Sequence, residues 1–318
     1  MNILVMGAGA VGSVFGGFLA EAGHQVSLVG RATHMAAIRE QGLCIQGIWG
    51  EHLIGNLRTF TAAAEMPQQD LDLVLITTKS YDTEQAAGQI LPLLSEKTLV
   101  LSIQNGLGNV EAISRIVGEH RTVGGRVIFG VEAIAPGRVE VTVYADKVML
   151  GSHTGEVDHK RIEETANAFA RAGIPTEATT EIDKFIWGKL LYSCCLNPLS
   201  ALLEVAYGEL SEHVETRTIM TSVIQEIFAV ARRKGVAPAW DSPLEYRKLL
   251  FERLIPDTCS HHASMLQDVR RGKRTEIDSL NGAVARLGEE VGLPTPVNRM
   301  LTQLVKAKEQ MRKGLQPG

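Results

Sequence analysis

The sequence predicts an α/β fold, with a doubly wound parallel sheet in the N-terminal half and an all-α C-terminal domain. Three observations carry this. Residues 3–6, 14–22 and 25–29 read as strand, helix and strand with glycines at the first junction, so the chain opens on a βαβ unit. Residues 71–78 and 98–103 are apolar, β-branched runs with little alternation, the pattern of strands buried on both faces, and a helical stretch over 82–94 separates them. Beyond Thr180 no such run recurs, and apolar residues repeat at helical spacing.

The other elements follow in order. Residues 123–131, 138–143 and 147–150 read as strands, with Pro136-Gly137 as a turn between the first two. A helix over 158–172 and a strand over 176–179 close this half. The boundary falls after Thr180, dividing the chain into 1–180 and 181–318, as 318 residues at about 150 per domain suggest. Thr180-Glu181-Ile182-Asp183 fits a capping-box start for a helix carrying Phe185, Ile186, Leu190 and Leu191. Ile277, Leu280, Val284, Leu287 and Val291 alternate steps of three and four, which predicts one long amphipathic helix. The Gln316-Pro317-Gly318 tail is expected to fray.

Composition narrows the class. Hydrophobic residues at 45% and charged residues at 21% describe an ordinary globular chain, which excludes disordered and fibrous proteins. The formal charge is −4 and the basic residues are scattered, which argues against nucleic acid or an anionic membrane as partner. Cys44, Cys194, Cys195 and Cys259 have no metal or redox spacing and read as reduced thiols of a cytoplasmic protein. Residues 3–20 are apolar enough to imitate a signal segment, but five glycines interrupt them and no Lys or Arg precedes them.

Gly7-Ala8-Gly9-Ala10-Val11-Gly12 lies between a strand and a helix. In that context the first glycine permits a tight turn, the second a close approach to a pyrophosphate, and the third helix-on-strand packing. The helix N-terminus offers N–H donors to the phosphates. After the second strand the chain reads Val29-Gly30-Arg31, with no carboxylate for a ribose hydroxyl. An acid would repel a 2′-phosphate and an arginine binds it, so the expected cofactor is NADP. Lys79 follows the third apolar strand and reads equally as a solvated lysine or a ligand contact. Gln104-Asn105-Gly106 follows the fourth and reads equally as a site or a turn.

In the helical half, Lys189, Ser193 and Asn197 are four apart and share one face, and Pro198 is expected to force the chain out of regular helix at Asn197. A lysine among Trp187, Leu190 and Leu191 either loses hydration, which suits a proton donor, or snorkels with its stem on the core. His261 and His262 lack ligand spacing for a metal, and Trp49, Trp187 and Trp240 read as packing.

These motifs carry a resemblance. The fingerprint with Arg31, Thr78-Lys79, Gln104-Asn105-Gly106, Trp187-Gly188-Lys189-Leu190, Asn197-Pro198-Leu199-Ser200-Ala201-Leu202, and Ser264-Met265-Leu266-Gln267-Asp268 with Thr275-Glu276-Ile277-Asp278 closely resembles the ketopantoate reductase (2-dehydropantoate 2-reductase) family. The likeness keeps its order over nearly the whole chain. It implies an NADP-binding Rossmann domain, a helical catalytic domain, and NADPH-dependent reduction of 2-dehydropantoate to pantoate for coenzyme A synthesis. By motif position it makes Lys189 the proton donor, Asn105 a contact of both nicotinamide ribose and substrate, Asn197 and Ser264 substrate contacts, and Glu276 an acid near the substrate hydroxyl and cofactor. Read without the resemblance, Glu276 can equally be a helix N-terminal carboxylate that favours the dipole. Ser193, a substrate-side position, and Tyr207 stand where the family often has asparagine, which leaves the exact 2-oxo acid open. The expected partner is a small 2-oxo acid, with a homodimer left open. The competing readings are a paralogue for another 2-oxo acid, a non-catalytic NADP sensor, and a transcriptional regulator, for which no basic recognition helix is found.

Overall fold

A computed structural model describes residues 1–313, and the Gln316-Pro317-Gly318 tail lies outside them. The chain divides into two compact units, Met1–Gln104 with Asn109–Ile182, and Asn105–Gly108 with the residues from Asp183 on.

In chain order the first unit contains β1 (Asn2–Met6), α1 (Ala10–Glu21), β2 (Gln25–Val29), α2 (Ala32–Gln41), β3 (Leu43–Gly47), β4 (His52–Ile54), β5 (Arg58–Phe60), β6 (Leu73–Ile76), α3 (Thr83–Ile90), β7 (Leu99–Ser102), α4 (Asn109–Val117), β8 (Thr122–Ala135), β9 (Arg138–Gly151), α5 (His159–Arg171) and β10 (Thr176–Ala178). Strands β5, β2, β1, β6, β7 and β8 lie side by side in that order and all run parallel. Ile3, Val5, Leu73 and Leu75 face Phe15 and Phe169 of α1 and α5. Leu4, Met6, Val74 and Ile76 face Ala86, Ile90 and Ile113 of α3 and α4. Alternate residues thus enter two different cores, which is why these strands read as unbroken apolar runs.

Beyond β8 the sheet is mixed rather than parallel. β9 returns antiparallel to β8 through the Pro136-Gly137 turn, because strands joined by a tight hairpin can pair only that way. β9 is one strand where the sequence suggests two, since bulges at Ile128 and Phe129, opposite Asp146 and Tyr144, carry the ladder past the polar interruption. The three-residue strands β4 and β5 had too few residues to announce themselves by periodicity, and the five-residue β3 was not read from the sequence.

The second unit follows with α6 (Ile182–Leu203), α7 (Tyr207–Leu210), α8 (Val214–Arg233), α9 (Pro243–Leu249), α10 (Ile255–Asp257), α11 (Ser264–Arg270), α12 (Asn281–Glu290) and α13 (Pro296–Lys313). Among the described residues no helix is long and apolar enough to cross a membrane. Trp187, Leu190, Leu191, Cys194, Cys195 and Leu199 of α6 are buried on several sides of the helix, which makes it the central rod of this unit. Cys44, Cys194, Cys195 and Cys259 are all free, and burial pushes the thiols of Cys194 and Cys195 up.

The expectation that Pro198 breaks this helix is corrected: α6 runs through it to Leu203. Proline lacks the N–H that would bond the carbonyl four residues back, here that of Cys194. The amide Nδ2 of Asn281 donates to that carbonyl instead, at 3.1 Å, and also to Asn298 Oδ1 at 3.0 Å. Asn281 is fully buried, so Asn281→Ala should lower the unfolding free energy by about 1–3 kcal/mol, the usual cost of an orphaned buried acceptor. Urea denaturation measures this, and a loss below about 0.5 kcal/mol would mean the carbonyl needs no such partner.

The expected long helix over 277–291 begins only at Asn281. Leu280, at φ −100° and ψ −110°, leaves helical space. Before it, the hydroxyl of Ser279 donates to Glu276 O at 2.9 Å and Gly282 N donates to Ile277 O at 2.9 Å, closing a turn that presents Glu276.

Candidate active site

In the sheet unit the glycine loop sits where β1 and β6 are neighbours and the chain departs to opposite sides, the crevice at which open α/β sheets bind ligands. Gly7 has φ +100°, and a Cβ there would lie 2.6 Å from the backbone N of Thr78. Any other residue would push β1 and β6 apart. At Gly9 a Cβ would meet only Gly7 O, at 3.8 Å, so the loop keeps open space on that side. No side chain caps α1, and the N–H groups of Ala10, Val11 and Gly12 form its first turn. An open glycine followed by an uncapped helix N-terminus fits a pyrophosphate.

Val29 O accepts from both Gly7 N (3.0 Å) and Ala8 N (2.8 Å), which ties the loop to the end of β2. Arg31, two residues on, is exposed and stands at the N-cap position just before α2. His34, which sequence reasoning passed over, braces this corner. Its Nδ1 accepts from Gly137 N at 2.9 Å, so the proton sits on Nε2, which donates to Ser13 Oγ at 2.9 Å. Burial, and then the Arg31 charge, hold its pKa below the usual histidine value. A lone histidine on a polar helix gave no signal of this. Lys79 is half-buried just beyond β6, and the neighbouring loop is held by Gln104, whose Nε2 donates to Thr78 O at 2.9 Å and Thr83 Oγ1 at 2.8 Å.

In the helical unit, Asn105 enters through a turn that only glycine allows. Gly106 has φ +84°, a Cβ there would lie 2.3 Å from Ser279 O, and that same carbonyl accepts from Leu107 N at 2.8 Å. The Asn-Gly pair is therefore both a turn and a docking point. Lys189 Nζ donates to Asn105 Oδ1 at 2.6 Å, and Asn105 Nδ2 points to Glu276 Oε2 at a long 3.5 Å. That orientation is electrostatically matched, since a flipped amide would set its NH₂ against the ammonium.

A pocket opens beside this chain of groups. Asn105, Asn197, Ser264, Asp268 and Glu276 supply its polar wall, and Met265 and Leu280 its apolar one. The structure thus brings Lys189, Asn105, Asn197, Ser264 and Glu276 together. Ser193 is buried on the same face of α6 and does not line the pocket. Asp268 was given no role at the sequence level, although its place one turn after Ser264 on α11 was the available signal.

The family model for ketopantoate reductase PanE/ApbA matches residues 3–155, and that for its C-terminal domain matches residues 181–309. The chain belongs to the ketopantoate reductase family. Among curated relatives of this family member, the 2-dehydropantoate 2-reductase of Aquifex aeolicus (strain VF5) is 42% identical over 97% of each chain. The crystal structure of a PanE/ApbA family ketopantoate reductase from Ralstonia eutropha JMP134 is 33% identical, with a TM-score of 0.88 over 98% of this chain and 100% of that one. The ternary structure of D-mandelate dehydrogenase with NADH and anilino(oxo)acetate is 27% identical, with a TM-score of 0.89 over 98% of this chain and 100% of that one. The family assignment makes the chain an oxidoreductase with a Rossmann-type N-terminal domain.

Proposed function

We propose that this chain reduces 2-dehydropantoate to pantoate with NADPH, the reaction that leads to pantothenate and coenzyme A. The observation that carries the reading is the Lys189–Asn105–Glu276 chain at the edge of a small polar pocket. The reduced nicotinamide, when bound, supplies a hydride to the ketone carbon. Negative charge then builds on the ketone oxygen, and the Lys189 ammonium both stabilises it and gives it a proton. Asn105 holds Nζ in place without adding charge of its own. Asn197 and Ser264 offer neutral donors to the substrate carboxylate, and Glu276 accepts from a substrate hydroxyl. The glycine loop and the first turn of α1 hold the pyrophosphate, with Arg31 on the 2′-phosphate and Lys79 beside the same crevice.

A second reading is a preference for a bulkier 2-oxo acid. The likeness to a D-mandelate dehydrogenase favours it. The test is NADPH oxidation by purified protein against a panel of 2-oxo acids. The highest kcat/KM is expected for 2-dehydropantoate. A tenfold or greater preference for an aromatic or branched acid would favour the second reading, and no turnover with any of them would remove both.

A further inference from the structure

Tyr207, at the start of α7, is 2% exposed, and its hydroxyl donates to Asn197 Oδ1 at 2.7 Å. The ring cannot swing away. It meets Tyr192 edge-on at 5.8 Å, the ring of His261 lies 5.3 Å off, and Tyr207 N donates to His261 O at 3.0 Å. Tyr192 is itself pinned through its hydroxyl to Thr258 Oγ1 at 2.8 Å. Burial raises the Tyr207 pKa well above its usual value, so the phenol keeps its proton. Asn197 lines the pocket from the far end of this contact. The phenol proton occupies one lone pair of that oxygen and fixes the orientation of the amide, so the NH₂ is the edge held for a ligand.

The rest of the polar wall makes that consequential. Asp268 and Glu276 are carboxylates, hostile to the carboxylate of an acid substrate, so the neutral donors decide where it can sit. An amide free to rotate would also offer its oxygen and add a third acceptor to that wall.

We propose that Tyr207 is a positioning residue that fixes the amide of Asn197 so that it presents its NH₂, which selects ligands presenting an acceptor oxygen, carboxylate or ketone, at that point of the pocket. This rests on the reading of the pocket as a 2-oxo acid site.

A four-member cycle tests it: wild type, Tyr207→Phe, Asn197→Ala and the double variant, each assayed for kcat and KM with 2-dehydropantoate and for pantoate affinity by calorimetry. Tyr207→Phe should raise KM and the pantoate Kd about tenfold with kcat within about threefold, the scale of one lost orienting hydrogen bond. In the Asn197→Ala background the same change should move neither by more than about twofold, because the group it acts on is gone. Unchanged constants in the single variant, or an equal loss in both backgrounds, overturn the proposal. Tyr207→Met removes the hydroxyl with a flexible filler and carries the same readouts where Tyr207→Phe does not fold. If wild type reduces no 2-oxo acid, the functional reading fails; if it does and the cycle is additive, only the role of Tyr207 fails.

Discussion

Lys189→Ala is expected to lower kcat with 2-oxo acids by a factor of about 10² to 10⁴, the usual worth of a general acid, while NADPH binds as before. Nζ lies 2.6 Å from Asn105 Oδ1, a neutral acceptor that fixes the position of the ammonium. Removing it takes away both the proton and the stabilisation of the alkoxide, and both act only as the transition state forms. The loss should therefore fall on kcat rather than on cofactor affinity, which fluorescence titration with NADPH reads separately. Lys189→Arg should not restore the rate, since a guanidinium keeps its proton above pH 12 and is a poor acid. Turnover within about tenfold of wild type in Lys189→Ala would take the residue out of the mechanism.

The second large effect is on cofactor choice. Arg31→Ala should raise the KM for NADPH about 10- to 100-fold and leave that for NADH almost unchanged, because only NADPH carries a 2′-phosphate. Arg31 is exposed, so its two charge-assisted hydrogen bonds are discounted for screening, and the penalty should shrink further as salt rises. The D-mandelate dehydrogenase structure, which holds NADH, makes this a sharp test within one fold. If wild type prefers NADH, or if Arg31→Ala weakens both nucleotides equally, the NADP assignment falls.

Features that depend on neighbours along the chain could be read from the residues alone. The βαβ start, the glycine loop and the apolar strands at 71–78 and 98–103 are local patterns, so β1, α1, β2, β6 and β7 were legible with errors of a few residues. The four-residue spacing that puts Lys189, Ser193 and Asn197 on one face was legible too, because an α-helix repeats at that distance. The remaining features depend on contacts made across the fold. Pro198 stays inside α6 because Asn281, 83 positions on, supplies the hydrogen bond that proline cannot. The expected helix gives way to a turn before Asn281, where Ser279 O is taken by Leu107 N, which brings Asn105–Gly108 into the helical unit and Asn105 against Lys189. Tyr207, a departure when read along the chain, turns out to grip Asn197. In each case a polar group took a partner beyond its own helical turn, and no local periodicity records such a choice.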